Sequence, residues 1–180
     1  MKIPSSLSFY ICIWCVLLYS YPHKIQYFSI SNPLTWILPS FEHATILHLF
    51  FNIYWLYLVG DMVENIFAIH STSPLLLAFL FYIWLAIGSN VAQYYSTGPY
   101  FVGLSGIIFG IVGFLYVMSF KLLNSYVAQW QYITKLFVVW FFICIILHVF
   151  DIMKIANVAH LFGAINGVLF GYVYSYFFIN

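Results

Sequence analysis

Ser105 stands between glycines in Gly103-Leu104-Ser105-Gly106, at the head of an apolar segment. A serine hydroxyl becomes a nucleophile when a neighbouring base takes its proton, and imidazole, whose ordinary pKa lies near physiological pH, is suited to that task. His160 heads a second apolar segment and supplies the candidate base. Attack on an amide carbonyl creates an oxyanion, which needs hydrogen-bond donors placed beforehand. His48 and Asn52, four residues apart on a third segment, share one helix face and can supply two donors beside the Ser105 backbone N–H. The chemistry these residues suit is acyl transfer. A lone GxSG is also what membrane helices use to approach one another closely, so the reading depends on how the other segments place these groups.

The composition decides the environment. The 180 residues are 65% hydrophobic and 5% charged, with mean hydropathy +1.02, whereas a water-soluble surface needs roughly a quarter charged residues. An all-α integral membrane protein is predicted. The five cationic residues are all lysines, set against four acids, so no basic face exists to neutralise a run of phosphates. Nucleic acid is excluded as a partner; the lipid bilayer is expected instead. Cys12, Cys15 and Cys144 all lie in apolar segments, where a thiol is a small buried hydrophobe. No disulfide framework is read.

A spanning helix needs about 20 apolar residues. Six candidates follow, at about residues 3–21, 44–60, 74–91, 102–120, 132–150 and 158–178. The first is expected to be retained, because no small-x-small cleavage site follows it. Residues 22–42, with Asn32-Pro33, Pro39 and several aromatics, read as a partly structured interfacial loop. Asp61, Glu64 and Asn65 are expected to close the second span, and Ser73-Pro74 to cap and open the third. A single domain over residues 1–180 is expected, with no linker, accessory domain or seventh span.

Parity then gathers the chemistry. Spans two, four and six enter the membrane from the same side, and near their first turns lie His43, His48 and Asn52, then Ser105, then Asn157 and His160. Polar groups are costly inside a bilayer and mark function by default. Gly163, Gly167 and Gly171 recur every fourth residue in span six, and Gly106, Gly110 and Gly113 line span four. Packed glycine to glycine, these helices would bring Ser105 within reach of His160. Lys2, Lys121 and Lys135 fall on the amino-terminal side against Lys24 and Lys154 on the other, a bias that points to cytoplasmic termini.

The pattern resembles the rhomboid family of intramembrane serine proteases. His43, His48-Leu49-Phe50-Phe51-Asn52, Gly60 and Glu64, then Gly103-Leu104-Ser105-Gly106, then Ala159-His160 with Gly163 and Gly167 carry the resemblance, in order and at matching depth. The resemblance implies a six-transmembrane-helix bundle in which a dyad of Ser105 nucleophile and His160 base cleaves transmembrane segments of membrane proteins near their extracytoplasmic ends. It also implies an oxyanion hole of His48, Asn52 and the Ser105 amide, no cofactor and no metal, single-span substrates, and a bacterial inner membrane location. The chain departs from the better-known bacterial members in having Phe109 where they carry a tyrosine. It also lacks the arginine of their first loop, with Thr35 or Ile37 nearby. A rhomboid-like protein that binds membrane helices without cutting them is the alternative.

The other polar residues carry blander readings. His43 is expected to be a loop hydrogen-bonder, His23 and His70 solvent-exposed, and Asp151 a solvated loop acid, with His148 as a reserve base. Lys121, Lys135 and Lys154 are expected to snorkel to the interface. His43 and His48, five apart, miss the same-face spacing of a helical zinc motif. A small transporter is disfavoured for want of inverted repeats or a charged midplane pair.

Overall fold

The computed structural model describes residues 6–21, 25–122 and 127–179, with backbone alone for Val127 and Ala128. Lys2, His23, Lys24 and the first residues of the predicted first span lie outside them. Six α-helices occur among the described residues: α1 (Leu7–Ser20), α2 (Ile46–His70), α3 (Pro74–Thr97), α4 (Ser105–Lys121), α5 (Val127–Val149) and α6 (Asn157–Phe178). No strand occurs among the described residues. By length and composition α2, α3, α5 and α6 are long and apolar enough to cross a membrane, while α1 and α4 are shorter.

The short α4 is the centre of the bundle. From Gly106 to Ser119 every residue except Tyr116 is buried, so its hydrophobicity faces other helices. At 17 residues it is only about 26 Å long, and its first turn begins after a non-helical descent through residues 98–104. Non-helical backbone at membrane depth is tolerated where protein surrounds it. Here the Gly103 N–H donates to the Pro39 carbonyl (2.9 Å), tying the descent to the loop above α2.

Glycines set the approach of α4 to α6. A Cβ on Gly163 would run into the carbonyl oxygen of Gly106, one on Gly167 into that of Gly110, and one on Gly113 into that of Ala164. The two backbones touch, as the four-residue spacing predicts. On the other side of α4, Ser89 and Leu85 of α3 close over Gly106 and Gly110.

Two boundaries differ from expectation for tertiary reasons. Helix α2 continues through Asp61, Glu64 and Asn65 to His70, because Glu64 is not a solvated terminator: its carboxylate accepts the N–H groups of Leu7 (2.7 Å) and Ser8 (2.8 Å) and the hydroxyls of Ser8 and Tyr82. It thereby caps the start of α1, where the first helical N–H groups have no intrahelical acceptor, and Gly60 one turn earlier leaves room for the Ser8 side chain. Helix α3 runs on to Thr97, carrying inward the Gln93 that reads as part of a polar link. His70, expected in solvent, is the half-buried last residue of α2 and donates from Nδ1 to the Ile66 carbonyl (2.9 Å). Ser73 does precede α3 but makes no side-chain capping bond.

The interfacial loop folds into two 3-10 turns, Pro33–Trp36 and Leu38–Phe41. Thr35 Oγ1 accepts the Ser29 N–H (2.7 Å) and lies 2.7 Å from the Asn32 carbonyl, while Trp36 Nε1 donates to the Ser29 carbonyl (3.1 Å). The loop is anchored from below by buried Asn90 of α3, whose Nδ2 donates to the Trp36 carbonyl and to Ser40 Oγ, both at 2.9 Å.

Candidate active site

Ser105 is the first residue of α4, and no side chain caps that helix start. Its backbone N–H is therefore among the unsatisfied donors of a helix N-terminus, where the helix dipole favours negative charge. Leu104 is buried and Ser105 half-buried, so the hydroxyl stands at the floor of the descent rather than on an outer surface.

His160 lies in the first turn of α6, 4% exposed. Its Nε2 is 2.8 Å from Ser105 Oγ. Glycine contact between α4 and α6 makes this distance possible, since a side chain at Gly163 would run into the Gly106 backbone and force the helices apart, while one at Gly106 would strike Ser89 of α3. Phe109, one turn beyond Ser105, stacks on the imidazole with centroids 4.4 Å apart and planes 13° from parallel. Phe137 of α5 meets the Phe109 ring edge-on at 5.1 Å, so packing from three helices orients the histidine. His160 Nδ1 is buried without a hydrogen-bond partner among the described residues.

The donor side is built on α2 and the descent. Thr45 caps α2 by accepting the His48 N–H (3.1 Å), which fixes His48 and Asn52 on one face, one turn apart. Both turn to Gly103: a Cβ there would lie 2.6 Å from His48 Nε2 and 3.8 Å from Asn52 Nδ2. Gly103 also has φ of +119°, a region costly for residues bearing a Cβ. Two constraints thus require glycine two residues before Ser105. Asn52 Nδ2 donates to the His48 carbonyl (2.8 Å), which leaves its second N–H available.

The remaining sequence candidates fall into place around this core. His43 is buried, 5% exposed, and makes a loop hydrogen bond as expected. Its Nδ1 donates to the Phe41 carbonyl (3.1 Å) and its ring meets that of His48 edge-on at 5.1 Å; burial, then the neighbouring His48, push its pKa down to about 3. His148 is not a base for Ser105: its Nδ1 accepts the Ile155 N–H (3.2 Å) in the loop between α5 and α6. Asp151 is exposed with φ of 54°. Its N–H donates to the His148 carbonyl and the Ile152 N–H to that of Leu147, which together form the hydrogen-bond pair of a Schellman helix end. No cluster of metal-ligating side chains occurs among the described residues.

Gln93 was missed by sequence reasoning. It is buried in the last turns of α3, and its Oε1 accepts the N–H of Ala159 (2.8 Å), the residue before His160. Ala156, at the cap position of α6, offers no side chain for that purpose. Ser89, one turn earlier on α3, packs against Gly106, the residue after Ser105. One face of α3 therefore braces both halves of the Ser105–His160 pair. The i, i+4 spacing of Ser89 and Gln93 in an apolar helix was the available signal.

Beside the pair, a cavity of about 390 Å³ opens between α4, α5 and α6, lined by Phe109, Gly113, Phe137, Phe141, His160 and Ala164 among others. Its walls are apolar, and it leads from the outer face of the bundle to the imidazole.

Comparison with known proteins identifies the family. The model of the Rhomboid domain matches residues 31–177, a stretch that holds every residue of the site. The rhomboid protease GlpG of Pectobacterium atrosepticum is 29% identical over 143 residues, covering 78% of this chain and 48% of that protein. GlpG of Haemophilus influenzae is 28% identical over 133 residues, covering 74% and 65%, and that of Yersinia pestis is 30% identical over 140 residues, covering 76% and 46%. The chain thus spans roughly half to two thirds of the length of these relatives. With its apolar helices and this match, it is an integral membrane protein and a member of the rhomboid family.

Proposed function

We propose that the protein is an intramembrane serine endopeptidase, a single rhomboid domain that cleaves transmembrane segments of single-span membrane proteins near their extracytoplasmic ends. The observation that carries the reading is the 2.8 Å contact of His160 Nε2 with Ser105 Oγ beneath the cluster of His48, Asn52 and Gly103. The relatives are named rhomboid proteases, which supports it.

In the first half-reaction Ser105 Oγ attacks the substrate carbonyl carbon as its proton passes to His160 Nε2. The oxyanion settles among the Ser105 N–H, the free N–H of Asn52 and the His48 ring. His160 then gives the proton to the leaving amine, the C–N bond breaks, and a serine ester remains. Water, deprotonated by His160, attacks that ester; the second tetrahedral intermediate collapses, Ser105 regains its proton and the carboxyl product departs. The unpartnered Nδ1 of His160 supports a dyad, with Phe109 rather than a carboxylate orienting the ring. A helical peptide bond is shielded by its own hydrogen bonds, so substrates with Gly or Pro near the cut unwind more cheaply. The lysine bias supports cytoplasmic termini in a bacterial inner membrane, with the openings of α2, α4 and α6 outward.

A fluorophosphonate probe tests this reading in detergent. Labelling of the parent and its loss in both Ser105→Ala and His160→Ala, with loss of cleavage of a tagged single-span substrate, is the expected result. Labelling that survives Ser105→Ala refutes the nucleophile, and a substrate that is bound but never cut by the parent favours a non-proteolytic binder.

A further inference from the structure

Several polar side chains deep within α2 and α3 turn inward. Asn52, Glu64, Ser89 and Asn90 are all buried, as the cost of polar groups in hydrocarbon demands. Asn166 does not follow them. It is the tenth residue of α6, about 14 Å along a helix of about 33 Å, and so close to the middle of the bilayer. It is only partly buried. Its carboxamide lies over Gly88 of α3, where an added Cβ would fall 2.9 Å from Asn166 Cγ. Nδ2 donates one hydrogen bond, to the Phe162 carbonyl (2.7 Å). Beside it the half-exposed Trp84 directs Nε1 to the Asn166 backbone carbonyl (3.4 Å). The second N–H and Oδ1 make no hydrogen bond to other described residues and sit on the outer seam of α3 and α6, where lipid chains offer neither donor nor acceptor.

We infer that the α3/α6 seam at Asn166 is an interface with a second copy of this chain, formed by reciprocal carboxamide hydrogen bonds. A carboxamide carries a donor and an acceptor and is therefore complementary to itself. Two copies inserted in the same sense and related by a two-fold axis along the bilayer normal bring their Asn166 residues to one depth without adjustment, the isologous arrangement typical of dimers. A substrate helix is the poorer fit. On α6 the crevice leading to His160 is lined by Leu161, Ala164 and Val168, towards α5, whereas Asn166 faces α3. A helix seated on Asn166 has its scissile bond on the wrong side of α6. The interface leaves the Ser105 side of the molecule free, and it stands whether or not the protein is a protease.

The test is self-association of the whole protein in liposomes, read by single-molecule photobleaching over a range of protein-to-lipid ratios, for the parent, Asn166→Leu and Asn166→Gln. An interhelical hydrogen bond in a membrane is worth a few-fold to about twentyfold in association. The expected result is a density-dependent dimer in the parent, weakened roughly three- to twentyfold by Asn166→Leu and retained by Asn166→Gln. With the native cysteines replaced by alanine, Asn166→Cys is expected to cross-link on oxidation and Val139→Cys, on the exposed face of α5, is not. The cross-linking arm decides the matter even if Asn166→Leu fails to fold. A parent that stays monomeric at every density, dimers unaffected by Asn166→Leu, or equal cross-linking from Val139→Cys overturns the inference. So does an Asn166→Leu protein that dimerises normally but no longer retains a single-span helix, which assigns the seam to substrate.

Discussion

Gln93 of α3 reaches across to α6 and accepts the backbone N–H of Ala159 at 2.8 Å, one residue before the imidazole that meets Ser105. The start of α6 is therefore held by a neighbour rather than by its own cap. Removing the acceptor in Gln93→Leu strands a buried N–H, at a cost of about 1–3 kcal/mol, and frees the first turn of α6. Fluorophosphonate labelling of Ser105 should slow by at least tenfold, whereas Gln93→Glu, which keeps the acceptor, should label within a few-fold of the parent. Equal rates in parent and Gln93→Leu would remove the brace.

The glycine contact of α4 and α6 predicts a steep size limit. A methyl group at Gly167 points into the Gly110 carbonyl oxygen, backbone against backbone with no side chain to yield. Gly167→Ala should lower stability by about 1–3 kcal/mol, and Gly167→Val should abolish the folded state in detergent, as read by thermal unfolding. Gly98, around which an added Cβ meets nothing within 4 Å, is the control for space, although its φ of 83° still costs an alanine there some strain.

Asp151 gives the opposite expectation. As the left-handed residue of a Schellman helix end it is held there by geometry, and glycine suits that geometry better. Asp151→Gly should leave the melting temperature unchanged or raise it, with labelling of Ser105 intact. A loss of labelling in a folded Asp151→Gly protein would reinstate a catalytic acid.

His43 supplies a pH dependence. Its pKa in the folded protein, pushed by burial down to about 3, lies below the ordinary value of about 6.5, so between these values the unfolded chain binds the extra proton. The stability that follows is complete above about pH 6.5 and is lost as pH falls towards 3. Melting temperatures measured at pH 7.5 and 4.5 should differ less in His43→Asn, whose amide can still donate to the Phe41 carbonyl, than in the parent.

The residues of the candidate site were legible in the sequence because their signals are local. A hydroxyl between glycines, two polar residues one turn apart and glycines every fourth residue all survive in the one-dimensional pattern, and span parity brings them to one side. What escaped depends on tertiary partners. Glu64 reads as a helix terminator until its acceptor role for Leu7 and Ser8 is seen, some 56 residues away in the chain. Gln93 reads as a link because nothing local shows that Ala159 needs an acceptor. The fourth helix begins at Ser105 rather than near residue 102 because Gly103 has φ of +119°, which a right-handed helix does not admit.

The Glu64 carboxylate has a consequence for how the chain enters the membrane. Helix α1 has 14 residues, about 21 Å, too short to cross a hydrocarbon core of about 30 Å by itself, and the N–H groups of Leu7 and Ser8 lack their Glu64 acceptor until α2 arrives. Helix α1 precedes α2 in the chain, so as a lone segment it is both short and without this acceptor. The two helices complete each other, and α1 is expected to settle in lipid together with α2, as a hairpin.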